Sequence, residues 1–263
     1  MKVSAAYFSP TGGTEKVVKI IGDEMAAGGQ IRYIDLTQTG CNFSKYEMEA
    51  GEILVAGVPV FCGRVPAVCI ERIKKFKGGG AMAVPVAVYG NRAVEDALLE
   101  LSDALTEAGF RVIAGIDAVA QHSIAPAIAE GRPDSADEAE LKLFAQTIKG
   151  QAALAAVEGD SSEAMVEAPI PGNRPYQPMK DVKLYPHADE RCMVCGLCAS
   201  KCPVGAIPMS EPYDTVEEKC ISCMRCVRLC PIGSRSVDEE RVRGTETHLK
   251  EVCPERNVNR LYI

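Results

Sequence analysis

Eight cysteines between Cys192 and Cys230 fall into two runs, Cys192-x-x-Cys195-x-x-Cys198-x-x-x-Cys202-Pro203 and Cys220-x-x-Cys223-x-x-Cys226-x-x-x-Cys230-Pro231. The spacing repeats without an insertion. Thiolates are soft ligands suited to iron–sulfur and zinc centres, and three so close together wrap a short loop around one centre. Four thiolates also make a closed zinc site, but there the ligand pairs are usually separated by a longer stretch. The crowding of three thiolates per loop, with a proline after each fourth cysteine, points instead to two [4Fe-4S] clusters whose fourth ligands are exchanged. Cys192, Cys195, Cys198 and Cys230 then serve one cluster, and Cys220, Cys223, Cys226 and Cys202 the other. Cys41, Cys62, Cys69 and Cys253 are isolated, and Cys253-Pro254 lacks the companions of a third cluster.

A second constellation lies near the N-terminus, where Phe8-Ser9-Pro10-Thr11-Gly12-Gly13-Thr14-Glu15 leads from an apolar run into an amphipathic one. Two glycines let the backbone curl inward, and the hydroxyls of Ser9, Thr11 and Thr14 can join N–H groups at a helix start around a phosphate. Lys16 does not complete a nucleotide P-loop, and no Gly-x-Gly-x-x-Gly is present, so ATPase and dinucleotide readings are weak. An ordinary strand-to-helix turn capped by Thr11 or Thr14 fits the same residues. No residue reads as a catalytic group.

The elements that position these residues alternate in type. Val3–Phe8, Ile31–Leu36, Glu52–Val58, Met82–Tyr89 and Arg111–Ile116 read as strands, and Glu15–Ala27, Ala67–Phe76, Val94–Ala108 and Asp137–Ala156 as helices. Strands apolar on both faces predict a doubly wound parallel sheet with helices covering each side. Pro85 is a blemish within one of them, implying an irregularity or a strand start. The last helix sets Leu141, Phe144, Ala145, Ile148, Ala152 and Ala155 on one face, which should close the sheet. From 158 to 185 the composition turns to Gly, Pro, Ser and charge, predicting a linker or a surface arm. A thiol-rich segment at 186–238 follows, then a charged tail at 239–263.

Residues 1–157, with five strands and the Ser9–Thr14 loop, resemble the flavodoxin family, whose α/β fold holds FMN phosphate at the ends of the first and third strands. That resemblance implies that Pro59, Phe61, Cys62 and Gly63 after the third strand, and Tyr89, Gly90, Asn91 and Arg92 after the fourth, flank the flavin ring. Stacking on the ring and packing in the core both fit Phe61 and Tyr89. Arg64 and Arg92 fit either a neutralising role at reduced flavin or an ordinary ion pair. The chain has no tryptophan, a residue that flavodoxins often place in the first of these loops. The segment 186–238 resembles a bacterial two-cluster ferredoxin domain, a small α+β unit. Together they resemble the fused flavodoxin-ferredoxin proteins of the EFR1 type. Val194, Leu197, Val204, Ile207, Ile221, Met224, Val227, Leu229 and Ile232, placed between or beside the ligands, should form most of that small core and shield the clusters.

Of 263 residues, 29 are basic and 36 acidic, a net charge of −7, which argues against a nucleic-acid partner. Two oxidised clusters with their thiolates deepen the charge to roughly −11. No apolar run approaches the ~20 residues of a membrane span, and the N-terminus reads as a strand and not as a leader, so a cytoplasmic protein is expected. Iron cubes pass single electrons while a flavin takes two, so the resemblance implies electron transfer between protein redox partners. The alternatives are an FMN-dependent oxidoreductase of a quinone or other small acceptor, and a ferredoxin-type carrier whose other half binds no flavin.

Overall fold

In a computed structural model, residues 2–157, 168–180 and 182–263 are described, apart from the side chains of 154–157. Ala155 and the first ten residues of the expected linker therefore lie outside the described set. The strands are β1 (Lys2–Tyr7), β2 (Ile31–Asp35), β3 (Glu52–Pro59) and β4 (Met82–Tyr89); β3 and β4 are buried along almost their whole length, whereas β2, at the edge, buries only Ile34. They pair in parallel in the order β2-β1-β3-β4. A short β5 (Arg111–Val112) and β6 (Gly115–Val119) both pair with β4. The order 2-1-3-4-5, counting β5 and β6 as the fifth strand, is that of a flavodoxin-like doubly wound sheet, as expected.

Alternating side chains of each strand feed two cores. On one face Val3, Ile53 and Val55 meet Val17, Val18 and Ile21 of α1 (Gly13–Ala26), and Leu141, Ala145 and Ile148 of α4 (Ser135–Val157). On the other, Leu54, Ala56 and Ala83 meet Ile73 of α2 (Ala67–Ile73) and Leu98, Leu101 and Leu105 of α3 (Ala97–Glu107). Gly57 of β3 is the point of closest helix approach: a Cβ there would stand 2.1 Å from Val18 Cγ2.

The fifth strand departs from its expected single run. It breaks at Ile113–Ala114, and the gap lies beside Val84 and Pro85, which find register partners only on the β3 side. The proline's missing donor thus falls where the ladder is already interrupted.

The tail packs back on the body. Helix α7 (Glu239–Val252) is capped by Asp238, whose carboxylate accepts from Arg241 N, and it packs Leu249 against Ala125 and Ile128. The chain then adds β9 (Arg260–Tyr262) antiparallel to β6. Asn259 secures this edge, accepting from Val119 N at 2.8 Å and donating to Glu140 at 2.6 Å. The described part of the 168–185 segment lies along α3, with Asn173 and Gln177 on Asp96 and Arg174 on Asp103. Arg64, a candidate flavin neighbour in the sequence, instead pairs with Glu100 at 2.8 Å and donates to the Gln177 carbonyl.

The thiol-rich segment contains β7 (His187–Ala188), α5 (Leu197–Ser200), α6 (Arg225–Leu229) and β8 (Arg235–Ser236), with β7 and β8 antiparallel. Its expected aliphatic core is only partly present. Ile207 and Met224 are buried, whereas Val194 is 56% and Ile232 36% exposed. A segment this short, with its interior given to two thiol-lined cavities, has little room left for apolar side chains. No described helix is long and apolar enough to cross a membrane.

Candidate functional site

The crevice at the carboxyl ends of β1 and β3 is where the strand order reverses, with β2 on one side of β1 and β3 on the other. Gly12 makes the turn out of β1 with φ 99°, a left-handed conformation that glycine adopts without cost. Ser9 holds the turn: its N donates to Thr37 Oγ1 at 2.7 Å, and its Oγ accepts from Glu15 N at 2.9 Å. Among the described residues, no acceptor within the protein meets the backbone N–H groups of Thr11, Gly12, Gly13 or Thr14. Pro10, Thr11, Gly13 and Thr14 line a cavity of about 460 Å³ together with Pro59, Phe61, Tyr89 and Gly90. Free donors at the start of a 14-residue helix suit a phosphate, so these residues fit the phosphate end of FMN.

A wider cavity of about 1150 Å³ opens beside it and shares Val60, Phe61, Tyr89, Gly90, His122 and Ser123. Phe61 is half-buried, in a tight turn closed by paired backbone bonds with Arg64. Cys62 and Gly63 line the wider cavity with φ 49° and 77°. Arg92 reaches the same wall and pairs with Glu95 at 2.7 Å. Tyr89 is buried in the core and its hydroxyl donates to the Val258 carbonyl at 3.0 Å. Asn91 faces the tail, donating to the Glu255 carbonyl at 2.9 Å and accepting from Asn257 N at 3.0 Å, and it lines neither cavity.

His122 lies between the two cavities, where sequence alone favours a surface histidine. Its Nδ1 accepts from the N–H groups of Ile124 at 3.2 Å and Ala125 at 3.0 Å. Burial pushes its pKa down to about 4, so the ring is neutral near pH 7 and carries its one proton on Nε2. A Cβ on Gly90 would stand 2.3 Å from this ring, which accounts for the glycine. His248 from α7 lines the wider cavity as well, although the two histidines are far apart in sequence. Lys180 and Val182 from the surface arm complete that wall. Only the tertiary fold brings these groups together.

The thiols separate into two sets. Cys192, Cys195, Cys198 and Cys230 line one cavity of about 350 Å³, and Cys202, Cys220, Cys223 and Cys226 line another of about 340 Å³. The two halves repeat at a period of 28 residues in backbone as well as in cysteines: positive φ recurs at Val194 and Ser222, Gly196 and Met224, and Gly205 and Gly233. Each fourth cysteine accepts an equivalent backbone bond, Ala206 N to Cys202 Sγ at 3.2 Å and Ser234 N to Cys230 Sγ at 3.3 Å. Such N–H donors stabilise charge on ligand sulfur. Among the described residues no three His, Cys, Asp or Glu side chains converge on a single metal ion. Four thiols around one cavity are the number and kind of donors that a four-iron cluster takes.

The sites adjoin. Cys223 is also in the wall of the phosphate-loop cavity, and Ile221 and Ser222 are in the wall of the wider one. Arg225 Nη1 donates to the carbonyls of Ser9 and Pro10 at 3.3 Å each, and Arg72 Nη2 to that of Pro203 at 2.6 Å.

Residues 191–234 match a family model described as a 4Fe-4S dicluster domain. The chain joins a ferredoxin-type iron–sulfur domain to a flavodoxin-like fold. Similar solved structures include a flavodoxin from the domain Archaea, at 14% identity over 58% of this chain and 99% of that one, with a TM-score of 0.41. Oxidised flavodoxin 1 from Bacillus cereus is 17% identical over 56% and 97%, with a TM-score of 0.41. The apo form of an NADH:FMN oxidoreductase is 16% identical over 65% and 97%, with a TM-score of 0.42. No curated protein matches the sequence. The likenesses to solved structures are distant, so the fold assignment rests on the strand order.

Proposed function

We propose that the chain transfers electrons between two [4Fe-4S] clusters and an FMN, linking one-electron and two-electron redox partners inside the cell. Cys192, Cys195, Cys198 and Cys230 hold one cluster, and Cys202, Cys220, Cys223 and Cys226 the other. The free N–H groups from Thr11 to Thr14 bind the FMN phosphate, with Ser9 bracing the loop. Phe61, Cys62, Gly63, Gly90 and Arg92 border the ring, while Tyr89 and Asn91 hold the tail behind it. When bound, these groups supply one-electron exchange at iron and two-electron exchange at flavin. The observation carrying this reading is the shared wall: Cys223 faces the same cavity as Pro10, Thr11, Gly13 and Thr14.

A second reading, reduction of a small acceptor, is favoured by the wider cavity. Lys180 and Val182 of the arm and Thr245, His248 and Leu249 of α7 wall it, and among the described residues no Asp or Glu lines it. That lining suits an anionic or electron-poor small molecule against the ring.

Protein purified without oxygen is expected to contain about eight irons, matching sulfide and one FMN per chain. Reductive titration should then bleach the iron–sulfur and flavin absorbances in the same sample. Zinc in place of iron would overturn the cluster assignment. Protein with no flavin and no ability to rebind it would leave a ferredoxin-type carrier.

A further inference from the structure

Arg235, the first residue of β8, is 2% exposed. Its Nη1 donates to the Pro212 carbonyl at 2.7 Å, and its Nη2 to the carbonyls of Pro186 at 3.1 Å and Asp214 at 3.0 Å and to Thr215 Oγ1. All four acceptors are neutral. Among the described residues no carboxylate pairs with this guanidinium, its buried Nε makes no hydrogen bond of good geometry, and the nearest acidic group acting on it is the Cys226 thiol. Neutral carbonyls satisfy hydrogen bonds but do not cancel a charge, and a buried cation without a counter-charge is strongly unfavourable.

The surroundings say where the counter-charge belongs. Arg235 and Pro212 line the cavity of Cys192, Cys195, Cys198 and Cys230. Pro186 and Thr215 line the cavity of Cys202, Cys220, Cys223 and Cys226. The guanidinium is therefore part of the partition between the two thiol sets, bonded to the walls of both.

We propose that Arg235 is the shared counter-charge of the two cluster sites and that it raises the reduction potential of both. The proposal rests on the reading of the thiol cavities as iron–sulfur sites. Each cluster gains one negative charge on reduction, and a fixed cation in a low-dielectric partition favours that more negative state. With the cation between them, two reduced clusters also repel each other less.

The test compares full-length wild type, Arg235→Lys and Arg235→Gln, each reconstituted anaerobically, by iron and sulfide content and by an EPR-monitored redox titration. In Arg235→Gln both potentials are expected to fall by 59 mV or more, a tenfold change in each one-electron equilibrium. Arg235→Lys keeps a charge, so both potentials should fall less than in Arg235→Gln. A fully loaded Arg235→Gln with unchanged potentials would overturn the proposal. So would equal loss of iron from both variants, because the segment would then need the donor fork and not the charge. Iron retained with Lys and lost with Gln supports it. Absence of iron from the wild type sinks the iron–sulfur reading itself, and is seen before any variant is compared.

Discussion

Asp117 shows how one buried carboxyl sets a pH response. Its Oδ2 accepts from the Tyr262 hydroxyl at 2.8 Å, but its buried Oδ1 has no partner. Burial outweighs that bond and raises its pKa to about 6. The folded state thus holds the proton more tightly than the unfolded chain does. The associated stability is complete below about pH 4 and is lost as pH climbs towards 6. Asp117→Asn retains an acceptor for Tyr262 and removes the charge. It is expected to raise stability near pH 7 by on the order of 2–3 kcal/mol, with the difference from wild type vanishing near pH 4. Urea unfolding of both proteins from pH 4 to 8 checks this; parallel curves would remove Asp117 from the account.

Among the elements, Gly57 fixes the distance between β3 and α1. Gly57→Ala forces its new methyl into Val18, so α1 and the loop at its start must shift, at a cost of about 1–3 kcal/mol. A lowered thermal midpoint in Gly57→Ala, recovered by adding Val18→Ala, is the expected outcome. The parallel strands, their helices and both cysteine arrays were legible because each signal is local: apolar runs, helical periodicity and fixed thiol spacing. Gly57 was not singled out, since its role depends on a helix about forty residues earlier in the chain. Helix α7 escaped because its apolar contact with the body is narrow, chiefly Leu249 on Ala125 and Ile128, within a strongly charged stretch. β9 has only three residues and is defined by its partner β6. His122 and His248 share a cavity wall only through the tertiary fold, as they lie on separate elements. Nothing in the sequence marks Arg235, and only its burial sets it apart.

For the molecule as a whole, the contact between its two chemistries is held by few bonds. Arg225 reaches the phosphate loop from the second thiol array, and charge-assisted bonds of this kind contribute about 1.5–3 kcal/mol. In Arg225→Ala, hydrogen exchange at the amides of 220–226 is expected to quicken by roughly tenfold or more, with those of 192–198 unchanged. Equal protection in both proteins would show that the halves are held together by other means. The edge strand has a consequence for how the molecule is made. Asn259 bonds to Val119 across 140 residues of chain, and β9 follows it onto the same edge. At ~5–20 residues per second, a ribosome takes roughly 7–30 s to cover that interval. Both cysteine arrays emerge within it, ahead of the strap that closes the sheet. A nascent chain thus exposes its thiols while its N-terminal sheet still has an open side.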